Sequence, residues 1–80
     1  MKLPRDLSAR ALSKALLRVG YQVDHQRGSH LRLSTQRGGE HHITIPAHDP
    51  LKIGTLNAIL RAVSEHVGLT REELLKKLFA

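Results

Sequence analysis

His30 is the residue of this chain whose type and position suit it best for acid–base chemistry. It opens a run in which Leu31 and Leu33 point to one side of a predicted strand, so that His30 and Arg32 point to the other. An imidazole has an ordinary pKa near ~6.5 and can therefore give or take a proton at neutral pH. The pattern predicts a histidine on the polar face of a sheet, beside a cationic side chain.

A histidine in this setting is suited to catalyse the cleavage of an RNA backbone. A base takes the proton of a ribose 2′-hydroxyl, the 2′-oxygen attacks the adjacent phosphate, and the 5′-oxygen leaves with a proton while positive charge stabilises the transition state. His30 is the candidate catalytic residue, and the candidate RNA-binding residues around it are Arg27, Gly28, Ser29 and Arg32. The competing interpretation is a solvated surface histidine without a chemical role.

Two lysines outside this run are further candidates for RNA binding. Lys52 precedes a predicted helix start at Thr55, where exposed amides and the helix dipole favour anions. The alternative there is a plain helix cap beside an incidental lysine. Lys14 belongs to a basic edge of the first helix, in which Arg10, Lys14 and Arg18 recur every four positions.

Histidines near the third strand raise a metal site as an alternative. His41 and His42 are adjacent and would point to opposite faces of a strand, so they cannot easily share one ion. No spacing typical of metal ligands occurs, and we predict no metal site and no cofactor. An opportunistic site built from two histidines and Asp49 stays open, but we expect these histidines, including His48, to lie at the surface or to hold loops in place.

Hydrophobic periodicity predicts the elements that must position these residues. Residues 8–19 carry one apolar stripe at helical spacing and end at Gly20, which suits a helix C-cap. Three short strands then follow, joined by turns at 27–28 and 36–39 and ended by Pro46. Their expected alternating apolar pairs are Tyr21 and Val23, Leu31 and Leu33, and Ile43 and Ile45.

The second half of the chain predicts a loop and two helices. The loop covers residues 47–54, and Thr55 caps a helix that closes at Gly68. A capping box over residues 70–73 starts a short last helix. A sheet with one apolar face must be covered by the helices, so the predicted architecture is a small α+β two-layer sandwich, α-β-β-β-α with an extra short C-terminal helix, in one domain over residues 1–80.

Composition narrows the classes of function. The 80 residues hold 13 Lys and Arg against 7 Asp and Glu, a net charge of +6, which suits a polyanion or an acidic protein partner. There is no cysteine, so disulfides and thiolate zinc sites are excluded, and no apolar run is long enough to span a membrane. We expect a cytoplasmic protein that is a nuclease, a non-catalytic double-stranded-RNA-binding module or a protein-interaction domain.

Short motifs along the whole chain resemble those of the HicA toxin family. The central ones are Gly28-Ser29-His30, Ile45-Pro46 followed by His48, and residues 51–56 followed by Ile59-Leu60. The opening Leu3-Pro4, the helix that ends at Gly20 before Tyr21, and the segment 68–74 are similar as well. Each motif is short, but their joint order and spacing are specific.

This resemblance implies a function that composition does not show. Members of the family have a double-stranded-RNA-binding-like fold, cut mRNA without the ribosome, and arrest growth. A HicB antitoxin covers the active face of such a toxin. The family's catalytic histidine corresponds to His30, and no metal or cofactor is implied. The resemblance thus predicts a type II toxin–antitoxin mRNA interferase with mRNA and a HicB-like antitoxin as partners, and we expect the isolated chain to be a monomer.

Overall fold

The chain folds as a helix, an antiparallel sheet and two further helices, which confirms the predicted α+β class. The computed structural model describes residues 3–80, so the first two residues of the predicted domain lie outside it. The elements are α1 (Ala9–Leu16) with a 3₁₀ turn (Leu17–Val19), β1 (Gln22–Arg27), β2 (His30–Thr35), β3 (His41–Pro46), α2 (Ile53–Val67) and α3 (Arg71–Phe79). The three strands form one sheet in the order β1-β2-β3.

The hydrophobic core lies between the helices and one face of the sheet, here called the inner face. α1 packs beside β1, α2 packs beside β3, and α3 packs against both α2 and the 3₁₀ turn. The largest fully buried side chains are Tyr21, Leu12, Leu16, Leu33, Ile45, Leu60, Leu74 and Val63. The opposite face of the sheet, here called the outer face, carries polar and mostly exposed residues.

Helix ends follow local signals at four of the predicted positions, one of which is Gly68, the C-cap of α2 with φ 73°. Ser8 caps α1 because its hydroxyl accepts a hydrogen bond from the Ala11 amide at 3.0 Å. Gly20 closes the 3₁₀ turn with φ 97°, a left-handed conformation that only glycine adopts at little cost. The capping box between Thr70 and Glu73 is present at the start of α3. The predicted helix over residues 8–19 is α-helical only to Leu16, since its last turn tightens to 3₁₀ before the glycine.

The predicted cap at Thr55 was wrong. α2 begins at Ile53, and Lys52 is its N-cap residue without a side-chain hydrogen bond. Leu51 explains the earlier start: it is buried, and its amide donates to the Leu7 carbonyl at 2.8 Å. The chain is therefore anchored just before residue 52, and the predicted loop over residues 47–54 is two residues shorter than expected.

The first strand departs from the predicted strict alternation. Val23 is paired with Leu33 and His25 with Arg32, with a β-bulge between them at Asp24. Residues directly opposite each other share a face, so the bulge places His25 on the same side as Arg32. Val23 lies on the inner side but is 48% exposed, because β1 is an edge strand that the helices cover only in part. Of the expected pair Tyr21 and Val23, only Tyr21 is buried.

Candidate nucleic-acid interface

Three cross-strand rows of residues make up the outer face of the sheet. From the β1–β2 turn onward the rows are Arg27, His30 and Pro46, then His25, Arg32 and Thr44, then Gln22, Ser34 and His42. All of them are exposed except the half-buried Pro46 and Ser34. The predicted placement of Arg32 on the face of His30 is confirmed. The register adds Ser34, His42 and Thr44 to this face and puts Arg27 directly opposite His30.

The turn beside His30 is open to a ligand. Gly28 and Ser29 join β1 to β2, and Gly28 at the first central position has φ 56°, as a type II′ hairpin turn requires. A Cβ placed on Gly28 would meet nothing within 4 Å, so a large group can approach its backbone. The Ser29 carbonyl accepts a hydrogen bond from the Ala47 amide at 2.6 Å, which ties the turn to the segment after β3.

Next to this turn, two imidazole and two guanidinium side chains alternate around a four-residue patch of the ladder. His25 is opposite Arg32, and Arg27 is opposite His30, so each imidazole has a guanidinium across the ladder. The two histidines are diagonal neighbours, which lie about 7–8 Å apart across an antiparallel ladder. Each side chain is exposed. We name His25, Arg27, His30 and Arg32 the outer-face quartet, and its arrangement can place an imidazole on either side of an anion between two cations.

Sequence reasoning did not identify His25. Strict alternation from Val23 would turn it to the inner face, and only the bulge at Asp24 reverses that direction. A weak signal was present, since residues 24–27 are four polar residues in succession where a half-buried strand should alternate. Such a run favours an irregular edge strand but does not locate the bulge.

The structure does not bring the two candidate lysines into the quartet. Lys14 is exposed on α1, which packs on the inner side of the sheet. Lys52 is exposed at the start of α2, beyond the loop that follows β3. Both lysines are therefore available only to parts of a ligand that extend past the outer face.

Two other histidines form a structural cluster with Tyr21. The His41 and His66 rings are stacked with centroids 4.4 Å apart, and the Tyr21 hydroxyl is hydrogen-bonded to His41 Nδ1 at 2.7 Å. His66 Nε2 donates to the Arg37 and Gly39 carbonyls at 2.9 and 3.0 Å. Because both partners are acceptors, Nε2 carries the proton. The cluster holds the β2–β3 loop against α2, which is one of the two roles expected for His41, whereas the sequence did not reveal the part played by His66.

Burial and charge shift two pKa values in this cluster. Desolvation lowers the pKa of His41, and the neighbouring His66 and His42 lower it further. Desolvation raises the pKa of Tyr21. Both shifts favour the neutral forms of these side chains, which matches their mutual hydrogen bond.

The remaining histidines lie apart from one another. His42 is bonded through Nε2 to Glu40 at 3.0 Å on the exposed surface. His48 lines a surface cavity of about 450 Å³ between α1 and the inner side of the sheet, together with Arg10 and Gln26. Its backbone carbonyl accepts from the Ala9 amide at 3.1 Å. In the part of the chain that the structure describes, no three metal-ligating side chains converge.

Fold and site together define a small α+β domain with an open, cationic sheet face that carries three histidines, two of them in the quartet. The family model described as the HicA toxin of bacterial toxin–antitoxin systems matches residues 9–64, well over half of the chain. The chain therefore belongs to the HicA toxin family. The matched range contains every predicted site residue, and the segment from Gly68 onward lies beyond it.

Family membership makes the chain a toxin of a toxin–antitoxin pair, whose partner is an antitoxin. Neither a curated protein nor a solved structure matches the chain individually. Among the helices formed by residues 3–80, none has the length and apolar content needed to cross a membrane.

Proposed function

We propose that this toxin is an endoribonuclease that cuts mRNA in the cytoplasm without a metal ion, with His30 as its general acid–base residue. One observation carries the proposal: His30 is exposed on the open outer face, directly opposite Arg27 and next to Arg32 on its own strand face. A group that must abstract a proton from a ribose needs this access, and the guanidinium groups supply the charge that stabilises a phosphorane-like transition state.

The reaction uses the 2′-hydroxyl of the substrate as its nucleophile. His30 accepts the 2′-hydroxyl proton as the bond from the 2′-oxygen to phosphorus forms. The bond from phosphorus to the 5′-oxygen breaks, and this oxygen leaves with a proton. The products are a 2′,3′-cyclic phosphate and a 5′-hydroxyl end. Arg27 and Arg32 stabilise the charge that develops on the non-bridging oxygens.

The proposed RNA contacts divide into two groups. Arg27, Gly28, Ser29 and Arg32 surround His30 and hold the phosphate that is cut, with Gly28 leaving room for the backbone. Lys14 and Lys52 contact flanking phosphates of longer RNA, since they lie outside the quartet. A chain with a single tyrosine and a single phenylalanine, Tyr21 buried, has little surface for base stacking, so phosphate contacts dominate affinity.

The proposed antitoxin is a HicB-like protein that covers the outer face. Its surface there is acidic, because the face it covers carries the quartet within a chain of net charge +6. We propose that residues 1–80 act as one domain and that the toxin without its antitoxin is a monomer.

Incubation of purified toxin with an mRNA in EDTA tests the proposed activity. The wild type cuts the RNA, and His30→Ala abolishes the cutting. His42→Ala is the matched control: it removes another exposed outer-face histidine, four ladder positions or about 13 Å away along the strand, and cuts like the wild type. Equal cutting by wild type and His30→Ala contradicts the role of His30. A strict need for added metal contradicts the mechanism.

Intact RNA after long incubation would favour one of the binding alternatives. Salt-sensitive duplex binding without cleavage then indicates the double-stranded-RNA-binding module. Absence of RNA binding indicates a protein-interaction domain. Expression in a bacterial host separates these classes as well, since an interferase arrests growth unless the antitoxin is present, whereas a binding module does not depend on His30 for any arrest.

A further inference from the structure

We infer that His25 is a second catalytic residue of this site and that it protonates the leaving 5′-oxygen. The inference rests on the proposed ribonuclease function and extends it to a group that the reaction requires. Two protons move in the cleavage step, one from the 2′-hydroxyl and one to the 5′-oxygen. An enzyme that transfers both at once needs two acid–base groups on opposite sides of the phosphate.

The bulge in β1 is the first observation behind this assignment. In a regular ladder continued from the pairing of Val23 with Leu33, Asp24 would lie opposite Arg32, and His25 would face the same side as Leu31, toward the helices. With the bulge, His25 is opposite Arg32 on the outer face. Bulges next to active sites commonly redirect a side chain in this way, at the cost of a local disruption of the ladder.

The second observation is the geometry of the quartet. His25 and His30 are diagonal neighbours, so a phosphate placed between them would have one imidazole on the side of the attacking 2′-oxygen and the other on the side of the leaving 5′-oxygen. Arg27 and Arg32 occupy the other diagonal, from which their guanidinium groups would reach the non-bridging oxygens. The charged groups around His25 are thus these two arginines and the bulged Asp24 on its own strand.

The other histidines do not offer an alternative donor. His41 and His66 are engaged with Tyr21 and with the β2–β3 loop. His42 is bonded to Glu40 in the far row of the sheet, and His48 lies on the inner side. Among the residues that the structure describes, His25 is the remaining imidazole on the face and at the end of the sheet where His30 lies.

The proton balance of the step is complete without another reagent. Neutral His30 takes the 2′-hydroxyl proton as the bond from the 2′-oxygen to phosphorus forms, and protonated His25 gives its proton to the 5′-oxygen as the bond from phosphorus to that oxygen breaks. The step leaves His30 protonated and His25 neutral. Proton exchange with water restores both groups before the next turnover.

A substrate that needs no proton donor tests this assignment. RNA in which sulfur replaces the 5′-bridging oxygen at a mapped cleavage site leaves as a thiolate, which departs without protonation. We expect His25→Asn to slow cleavage of ordinary RNA by about 10²-fold or more and to cut the sulfur-containing RNA at nearly the wild-type rate. His30→Ala remains defective on both substrates, because the 2′-hydroxyl proton must still be removed.

Two further variants separate proton donation from charge and folding. His25→Arg keeps a cation but cannot release a proton at neutral pH, so it binds RNA like the wild type and shows the same cleavage defect as His25→Asn. His42→Asn is the control for loss of an exposed outer-face histidine and cuts both substrates normally.

The outcomes distinguish the two proposals. Equal cleavage of ordinary RNA by wild type and His25→Asn overturns the role of His25 alone. An equal defect of His25→Asn on both substrates also overturns it, because the residue then acts through binding or structure. A wild-type toxin that cuts neither substrate overturns the proposed ribonuclease function and this inference with it.

Discussion

His25 and Arg32 lie directly opposite each other on the outer face of the sheet, one residue past a bulge in the edge strand. Next to them Arg27 and His30 form the same kind of pair in reverse order. Strand pairing therefore sets two imidazoles and two guanidinium groups on alternating corners, held by backbone hydrogen bonds rather than by side-chain contacts. The sheet thus fixes the backbone positions from which these four exposed side chains extend.

The affinity for RNAs of different length should distinguish the role of the quartet from that of the lysines. In a His30→Ala background, which keeps the RNA intact, Arg32→Ala weakens binding of an oligonucleotide a few nucleotides long and reduces the salt slope by about 1. Lys14→Ala leaves the binding of this short RNA unchanged and weakens binding of a long RNA, because Lys14 lies on α1 away from the outer face. Titrations at several salt concentrations measure both effects. If the two variants lost equal affinity for the short RNA, the proposed division between contacts to the cut phosphate and contacts to flanking phosphates would be contradicted.

Stability should fall as the solution is acidified below pH ~6.5. The pKa of His41 is lower in the folded protein than the ordinary histidine value of 6.5, so the unfolded chain binds more protons as the pH falls through 6.5 toward the folded value. Acid therefore favours unfolding in that window, and the stability from this group is fully present above it. Thermal melting at a series of pH values measures the effect.

The matched variants for this pH dependence are His41→Gln and His48→Gln. The first removes the group with the lowered pKa and flattens the pH dependence of the melting temperature. The second removes an exposed histidine and leaves the dependence as in the wild type. An unchanged slope in His41→Gln would show that another group causes the acid sensitivity.

Two adjacent leucines should respond very differently to the same substitution. Leu16 is 0% exposed in the core and Leu17 is 52% exposed. Leu16→Ala should cost about 2–5 kcal/mol because it removes buried methyl groups and leaves a cavity. Leu17→Ala should change the free energy of unfolding by about 0.5 kcal/mol or less. Urea unfolding of both variants measures the difference. Similar losses in the free energy of unfolding would contradict the assignment of Leu16 to the core and Leu17 to the surface.

Two threonines provide a test of where the helices begin. Thr70 accepts a hydrogen bond from the Glu73 amide at 3.1 Å, so Thr70→Ala should lower the free energy of unfolding by about 1 kcal/mol. Thr55 lies inside the first turn of α2 and makes no capping bond, so Thr55→Ala should have almost no effect. Urea unfolding distinguishes the two. A large cost at Thr55 would support the later helix start that periodicity predicts.

Much of the fold could be predicted because its signals are local. The apolar stripe of α1, the glycines at positions 20 and 68 and the capping box at Thr70 each act within a few residues. The start of α2 was misplaced because Leu51 is anchored by Leu7, a contact between segments far apart in the chain. Periodicity carries no information on such a contact.

The amino-acid sequence by itself determined the class of the protein. Within the candidate site it also determined the placement of His30 beside Arg32, since alternation in a regular strand such as β2 needs only neighbouring residues. Tertiary structure alone decided the positions of His25 and of the His41–His66 stack. A bulge is set by the pairing of two strands, and a ring stack by the packing of a helix on a sheet. Both depend on residues brought together only when the chain folds.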